Sequence, residues 1–167
     1  MTFDALGFHR IASNLDQFGF KRSAKIVSRA ARILFSAHIP PEARIGEGTH
    51  LGYGGLGIVL HKEAVIGRNV LVSPGVVIGG RSEMPGAPII EDNVLIGVGA
   101  KILGPVRIGE GAKVGANAVV IDDVLPGDTV VGIPAHPIVK RSSESVTYRE
   151  TEERAPVTRR AARRGAA

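Results

Sequence analysis

The stretch IGVGAKILGPVRIGEGAKVGANAVV, residues 96–120, repeats every six residues. An aliphatic residue opens each unit, at positions 96, 102, 108, 114 and 120, and a small or β-branched residue follows four positions later. A period of six does not fit an amphipathic helix, and the Gly or Asn three residues after many of the aliphatics suits a left-handed turn. Each unit therefore predicts one short strand and one turn.

The same unit recurs, loosely or closely, over residues 39–134. Three strands would close a triangular coil of about 18 residues, and about five coils would stack roughly 4.8 Å apart. Aromatic residues are nearly missing from the repeat: all five Phe lie in the first 35 residues, and Tyr53 is the only aromatic between Ser36 and Ile138. A right-handed solenoid or a β-sandwich would not require a strict hexad, so the pattern favours a parallel β-helix.

Two segments of different character flank the repeat. Apolar residues recur at helical spacing over 4–18 and again over 20–35, which predicts two amphipathic helices. Residues 139–167 hold eight Lys or Arg against four Glu and almost no large apolar residues, which predicts a disordered basic tail. The expected organisation is a helical segment, a β-helix domain and a tail, at residues 1–37, 38–138 and 139–167.

Composition excludes several kinds of chemistry. The chain has no Cys, which excludes disulfides, thiolate metal sites and a cysteine nucleophile. It has no run of about 18 apolar residues, and its first residues, MTFDALGFHRIASNLDQ, carry charge where a signal peptide would be apolar. We therefore expect a cytoplasmic protein.

The net charge of +5 is unevenly distributed, because residues 139–167 contribute +4 and the rest of the chain +1. A solvated terminus is the simplest interpretation of the RRAARR run, with anionic contact as the alternative, and we expect no nucleic-acid partner. The basic face of the helix over 20–35 would suit anionic lipid. Packing of its apolar stripe on the next domain or on a sister subunit is the favoured interpretation.

These residues resemble the hexapeptide-repeat acyltransferases, and most closely serine acetyltransferases and their short relatives associated with polysaccharide synthesis. The resemblance spans residues 38–138 and is most specific over 96–120 and at the closing VVGIPAHPI, residues 130–138. It implies a left-handed coil, a homotrimer, acetyl-CoA as co-substrate and active sites between neighbouring prisms. It leaves the acceptor open among sugar hydroxyls, sugar amines, serine and other small alcohols.

The chain departs from the serine acetyltransferase pattern at several functional positions. Gly52 and Tyr53 stand where that family carries Asp-His, and His38 stands where it carries the Asp that orients this histidine. Ala87 replaces a substrate-binding His, so free serine as the acceptor is in question. The C-terminal Ile that docks cysteine synthase is replaced by Ala166–Ala167, so that partner is not expected.

Stacking the hexads in threes predicts a column of Ile78, Ile96 and Val114. Gly80, Val98 and Ala116 each lie two residues after a member of that column. They would therefore share one edge of the prism, because they are spaced by 18 residues. These three positions match the track that holds pantetheine in the family, where small residues let the thin arm lie against the backbone. Two lysines would meet the CoA phosphates, Lys113 and Lys101.

Acetyl transfer to a hydroxyl needs a base for the acceptor's proton, and imidazole suits that task at neutral pH. His61 lies three residues after Ile58 in a repeat lengthened to eight residues, IVLHKEAV, and a bulge there would re-aim its ring toward the edge that includes Gly80. We therefore predict His61 as the general base in a direct ternary complex. His38 is the second candidate, and Tyr53 would orient or bind the acceptor.

Arg81 opens an irregular segment, RSEMPGAPI, that interrupts the hexads. Loops on rigid scaffolds commonly carry specificity, and a guanidinium suits an acidic group or a sugar hydroxyl of the acceptor. A solvated loop arginine fits the sequence equally well.

Two other functions stay open. A γ-class carbonic anhydrase is built on the same prism, but its Zn site needs two ligands five residues apart, whereas His38, His50 and His61 are spaced by 12 and 11, so we expect no metal. A non-enzymatic trimeric scaffold would explain the missing Asp-His pair. Binding of acetyl-CoA separates a scaffold from an enzyme.

Overall fold

A computed structural model describes residues 4–138 of the chain, so the predicted disordered tail lies outside the described residues. Two helices come first and short strands follow, with an irregular turn at Gly52–Gly55 in which Tyr53 and Gly54 have positive φ. The elements are α1 (Ala5–Gln17), α2 (Lys21–Phe35), β1 (Arg44–Ile45), β2 (His50–Leu51), β3 (Val59–Leu60), β4 (Val65–Ile66), β5 (Leu71–Val72), β6 (Val77–Gly79), β7 (Ile89–Ile90), β8 (Leu95–Ile96), β9 (Lys101–Leu103), β10 (Arg107–Ile108), β11 (Lys113–Val114), β12 (Val119–Val120), β13 (Thr129–Val131) and β14 (His136–Pro137).

The strands form three parallel sheets that wrap one prism. The sheet orders are β1-β4-β7-β10, β2-β5-β8-β11-β13 and β3-β6-β9-β12, and β14 adds an antiparallel edge beside β13. Each strand pairs in register with the strand one coil further along, as Ile66 does with Ile90. The predicted left-handed parallel β-helix with a short helical segment before it is confirmed. In the part of the chain described, no helix is long and apolar enough to cross a bilayer.

The interior of the prism is an aliphatic ladder. A two-residue strand such as β8 points one side chain into the prism and one outward. Ile96 is therefore 1% exposed while its neighbour Leu95 is 40% exposed. Removing stacked Ile and Val side chains from water supplies the main stabilisation of such a coil. The most deeply buried side chains include Leu51, Ile58, Leu60, Val72, Ile78, Ile90, Ile96, Ile102 and Ile108.

The coils are not all of equal length, and this corrects one sequence prediction. The irregular loop at residues 81–88 lengthens its coil, so Ile78 pairs with Ile102, 24 residues further on, instead of with Ile96. Ile96 stacks on Val114 at the regular spacing of 18. The predicted column of Ile78, Ile96 and Val114 is therefore wrong in its first member, because a fixed period of 18 ignores the extra residues of the loop.

The two predicted helices are confirmed and form a hairpin at the start of the prism. α1 begins at Asp4, whose carboxylate accepts the Gly7 N–H at 2.7 Å, and the chain turns at Gly19, whose φ is +87°. Phe8 and Phe35 pack edge to face, with their ring centroids 5.5 Å apart. Ala5 and Leu6 of α1 join the core of the coil, so the hairpin is part of the same packed unit.

His9 is buried on α1 at 5% exposure, and its Nδ1 has no hydrogen-bond partner within residues 4–138. Burial lowers the pKa of His9 to about 4, while polar backbone groups of Ala43 and Pro40 oppose that shift and Arg10 adds to it. The ring is therefore neutral in the folded protein at pH 7.

We expect this histidine to make stability depend on pH. The unfolded chain takes up a proton near pH 6.5 and the folded chain only near pH 4, so the stabilisation is complete above pH 6.5 and is lost as the pH falls toward 4. The loss at pH 4.5 should be about 2–3 kcal/mol. Urea unfolding at pH 7.5 and 4.5 should show this difference in wild type and in the control His136→Gln, and a much smaller one in His9→Leu. Equal pH dependence in His9→Leu and wild type would contradict the assignment.

The aliphatic ladder gives a second prediction. Ile96→Asp leaves a carboxylate unpaired in a dry interior and should cost at least ~3 kcal/mol. Leu95→Asp is the matched control, since the same change one residue away faces outward and should cost less than ~1 kcal/mol. Thermal unfolding followed by circular dichroism measures both. If the two variants melt alike, the inward register of β8 is wrong.

Candidate active site

A cavity of about 640 Å³ lies between α2 and the first two coils of the prism. Two histidines, His38 and His61, line it together, beside backbone of β3 and β6. The sequence placed these two histidines in one region, and the structure brings them to one cavity. No three His, Cys, Asp or Glu side chains within residues 4–138 form a group that could hold a metal ion.

His38 is held in place by its backbone. Its N–H donates to the Ile58 carbonyl at 2.8 Å and its carbonyl accepts the Leu60 N–H at 2.9 Å, so the residue continues the sheet beyond β3. Its ring makes no hydrogen bond to any residue from 4 to 138, and the residue is exposed. Both ring nitrogens are therefore open to a ligand in the cavity.

His61 follows β3 directly, and the ladder is regular there, because its N–H donates to the Ile78 carbonyl at 2.8 Å. Leu60, the residue before His61, stacks on Ile78. The predicted bulge at His61 is wrong, since the extra residues of this coil lie earlier, in the turn that contains Gly52–Gly55.

The hydrogen bond of the His61 ring restricts its chemistry. The Glu63 N–H donates to Nδ1 at 3.2 Å, so in the neutral ring the proton resides on Nε2. Nε2 lies 3.9 Å from the point that a Cβ would occupy at Gly80. In this arrangement Nε2–H is a donor facing the prism edge at Gly80. The assignment of His61 as the base stays a prediction.

The three positions predicted to share one edge are divided between two edges. Val98 and Ala116 lie in successive turns after β8 and β11, where the Asn117 N–H donates to the Val98 carbonyl at 2.8 Å. Gly80 lies at the corner after β6, beside His61. The loop at residues 81–88 adds residues between Gly80 and Val98. Gly80 is therefore out of phase with Val98 and Ala116.

The remaining predicted site residues lie outside the cavity. Lys101 and Lys113 project from different sheets, and the Lys101 Nζ donates to the Gly99 carbonyl at 3.0 Å. Tyr53 is 87% exposed in a left-handed conformation at the turn before β3. Arg81 pairs through its backbone with Met84 at the base of the irregular loop. Within one chain, none of these four side chains joins the two histidines.

The sequence did not identify the charged rim of the cavity. Lys25 and Arg29 from α2 and Lys62 after β3 line it, together with a single acid, Glu42. A helical wheel shows that α2 is basic on one side, but it does not tell which part of the molecule that side faces. The rim makes the cavity suitable for an anionic group.

Comparison with known proteins supports one family. Residues 87–122 match the family model of the bacterial transferase hexapeptide, six repeats. The chain is 38% identical over 140 residues to serine acetyltransferase of Synechococcus elongatus, covering 83% of this chain and 57% of that protein. It is 37% identical over 138 residues to serine acetyltransferase of Helicobacter pylori, covering 81% of this chain and 80% of that protein.

The solved structures agree with the sequence comparison. The crystal structure of Neisseria gonorrhoeae serine acetyltransferase in complex with serine superposes with a TM-score of 0.76 at 41% identity, covering 80% of this chain and 55% of that chain. The chain thus spans little more than half the length of some of the relatives it matches. With a similar fold at a TM-score of 0.76 and a relative that is 37% identical and covered over 80% of its length, the chain belongs to the serine acetyltransferase family of hexapeptide-repeat transferases.

Proposed function

We propose that the protein is an acetyl-CoA-dependent O-acetyltransferase with serine as its acceptor. The observation that carries this proposal is the pair of imidazoles, His38 and His61, in one cavity with a cationic rim. Family membership supports the acetyl transfer, and the names of the relatives favour serine over a sugar.

The two histidines suit two different steps of a direct transfer. The His38 ring makes no other hydrogen bond, so it accepts the proton of the acceptor hydroxyl as that oxygen attacks the thioester carbon. The His61 Nε2–H donates to the thioester oxygen while negative charge develops on it. The carbon–sulfur bond then breaks, His38 returns the proton to the sulfur, and the products are the acetyl ester and CoA.

The rim of the cavity supports an acceptor that carries a carboxylate. Lys25 and Arg29 on α2 supply two cations at the wall opposite the prism. A guanidinium binds a carboxylate with two parallel hydrogen bonds, which fixes the orientation of the acceptor as well as its charge. A neutral sugar hydroxyl would accept hydrogen bonds from these groups without using their charge, whereas the carboxylate of serine would use both.

The division of the pantetheine positions between two edges supports an assembly of several copies. The Gly80 edge and the Val98–Ala116 edge lie on different corners of one prism, so a single chain does not bring them together. A homotrimer of prisms can set the Gly80 corner of one copy against the Val98–Ala116 corner of the next. Acetyl-CoA would then lie between two copies, with Lys101 or Lys113 near its phosphates.

The cytoplasmic location of the protein stays a prediction.

A non-enzymatic scaffold is the second candidate. The observation that favours it is the exposed Tyr53 at the position where the resemblance places the catalytic histidine of the family. Isothermal titration with acetyl-CoA separates the two functions, since a scaffold should bind none.

Substitution of the two histidines tests their assigned steps. His38→Ala should lower kcat by ~10²–10⁴-fold, because it removes the base, while leaving the affinity for acetyl-CoA within a few-fold. His61→Ala should lower kcat by ~10²–10³-fold, as expected on loss of a donor to a developing oxyanion. His61→Gln keeps an N–H donor and should recover at least about tenfold over His61→Ala. Release of the CoA thiol measures all three, and equal inactivity of His61→Gln and His61→Ala would make His61 the base.

Mixed assemblies test whether the site lies between copies. Ala116 is exposed, so Ala116→Trp should fold normally while blocking the pantetheine edge. His38→Ala and Ala116→Trp should each be inactive alone. Co-expressed in equal amounts, they should regain about a quarter of wild-type activity, since a site between neighbours needs one intact corner from each. No recovery on mixing, or a monomer by light scattering at micromolar concentration, would contradict the composite site.

A further inference from the structure

The outward face of α2 carries large apolar side chains that nothing in residues 4–138 covers. Ile26 and Ile33 are 65% and 82% exposed, although the helix buries Ala24 and Ala31 against the rest of the molecule. The sequence placed the apolar stripe of this helix on the packed side. In the structure Ala24 and Ala31 of that stripe are buried and Val27 is half-buried, whereas Phe20 and Leu34 are exposed.

The exposed apolar residues extend beyond these two isoleucines. Leu34 at the end of α2 is exposed, and so are Phe18 and Phe20, on either side of the turn at Gly19. Ile26 and Ile33 are seven residues apart and therefore point the same way from the helix. We call these five exposed residues, two aromatic rings at one end of α2 and three aliphatic side chains along it, the α2 face.

Positive charge borders this face throughout. The five charged residues of α2 are all Lys or Arg, and the helix has no acid. Arg22 and Arg29 share the spacing of Ile26 and Ile33, so each isoleucine has a guanidinium at its side. Long cationic side chains of this kind keep their charge in the headgroup layer while their stems lie along apolar surface.

We propose that the α2 face docks on an anionic membrane surface, with the helix lying in the plane of the interface. A helix with aromatic and aliphatic residues on one side and only cations beside them is the pattern of an interfacial helix. A contact between the α2 faces of two copies fits less well, because it would bring ten cations together with no acid between them. A nucleic acid would use the cations but leave the isoleucines and phenylalanines in water.

Docking in this orientation has a consequence for the cavity. Lys25 and Arg29 belong to the same helix and line the cavity that holds His38 and His61. The proposed interface would therefore place the mouth of the cavity next to the headgroups. The proposal does not depend on the transferase activity, since it stands on the α2 face alone.

Co-sedimentation of the full chain with vesicles tests the proposal. The protein should bind vesicles of phosphatidylcholine with 30% phosphatidylserine and not vesicles of phosphatidylcholine alone, and 0.5 M NaCl should weaken the binding. Ile26→Ser/Ile33→Ser should lower the partition coefficient at least about tenfold through lost apolar burial. Lys21→Gln/Arg22→Gln should lower it by about tenfold or more through lost charge.

The matched control removes two cations elsewhere. Arg10→Gln/Arg44→Gln changes the net charge equally but leaves the α2 face intact, so it should bind within about threefold of wild type. Three outcomes would overturn the proposal: no binding to anionic vesicles, equal binding by wild type and both α2 variants, or equal losses in the control. If light scattering shows a smaller assembly for Ile26→Ser/Ile33→Ser than for wild type, the α2 face is a contact between copies. That result would also overturn the proposal.

Discussion

The in-register pairing of each strand with the strand one coil later is the constraint on which the rest of this structure depends. Strands of two or three residues have no stability alone, and they persist because every coil supplies backbone partners for the next. The pairing also determines which side chains point inward. A slip of one residue in β8 would turn Leu95 into the interior and Ile96 toward the outside. The small, dry interior that results admits Ile, Val, Leu and Ala and leaves the aromatic rings to the helical hairpin.

Because the ladder is so restrictive, variation is confined to the turns. The loop at residues 81–88 and the turn at Gly52–Gly55 add residues at corners, where the coil can expand without breaking a sheet. The turn at Gly52–Gly55 lies against the α-helical hairpin, whereas the loop at residues 81–88 lies against Gly104 and Pro105 of the next coil. The candidate site occupies this irregular end, where α2 leaves a cavity against the prism and where His38 and His61 reach into it. The regular coils beyond carry Val98 and Ala116 on a different corner, and it is this separation that makes an assembly of copies part of the proposed chemistry.

Charged residues also differ between the regular coils and α2. The regular coils pair their surface charges, as Arg68 does with Asp92 and Arg107 with Glu91. The Arg68 backbone N–H and then its guanidinium lower the pKa of Asp92, and the Arg107 guanidinium and then the Glu110 N–H lower the pKa of Glu91. The cations of α2 have no ion pair within residues 4–138. Paired charges suit a surface whose role is structural, and unpaired cations beside a cavity and an apolar face suit binding.

The sequence by itself determined the coil, the helices and the family. A strict repeat of six residues can bury its aliphatic positions only in a stacked prism. The helical spacing of apolar residues before Phe35 predicts helices without any information about what those helices pack on. It also identified His38 and His61, because few residues in the chain can accept a proton near neutral pH. Which of the two accepts a proton depends on the tertiary structure. A loop of eight residues moved Gly80 off the edge of Val98 and Ala116, and a single backbone N–H from Glu63 set the proton of His61 on Nε2. The exposed side of α2 was decided in the same way, since a helical wheel gives the faces of a helix but not which one the rest of the molecule covers. Phase across an irregular loop and the covered face of a helix depend on atoms distant in sequence, and the ring tautomer depends on the backbone conformation that brings the Glu63 N–H to His61. A pattern of residue types carries no information about any of the three.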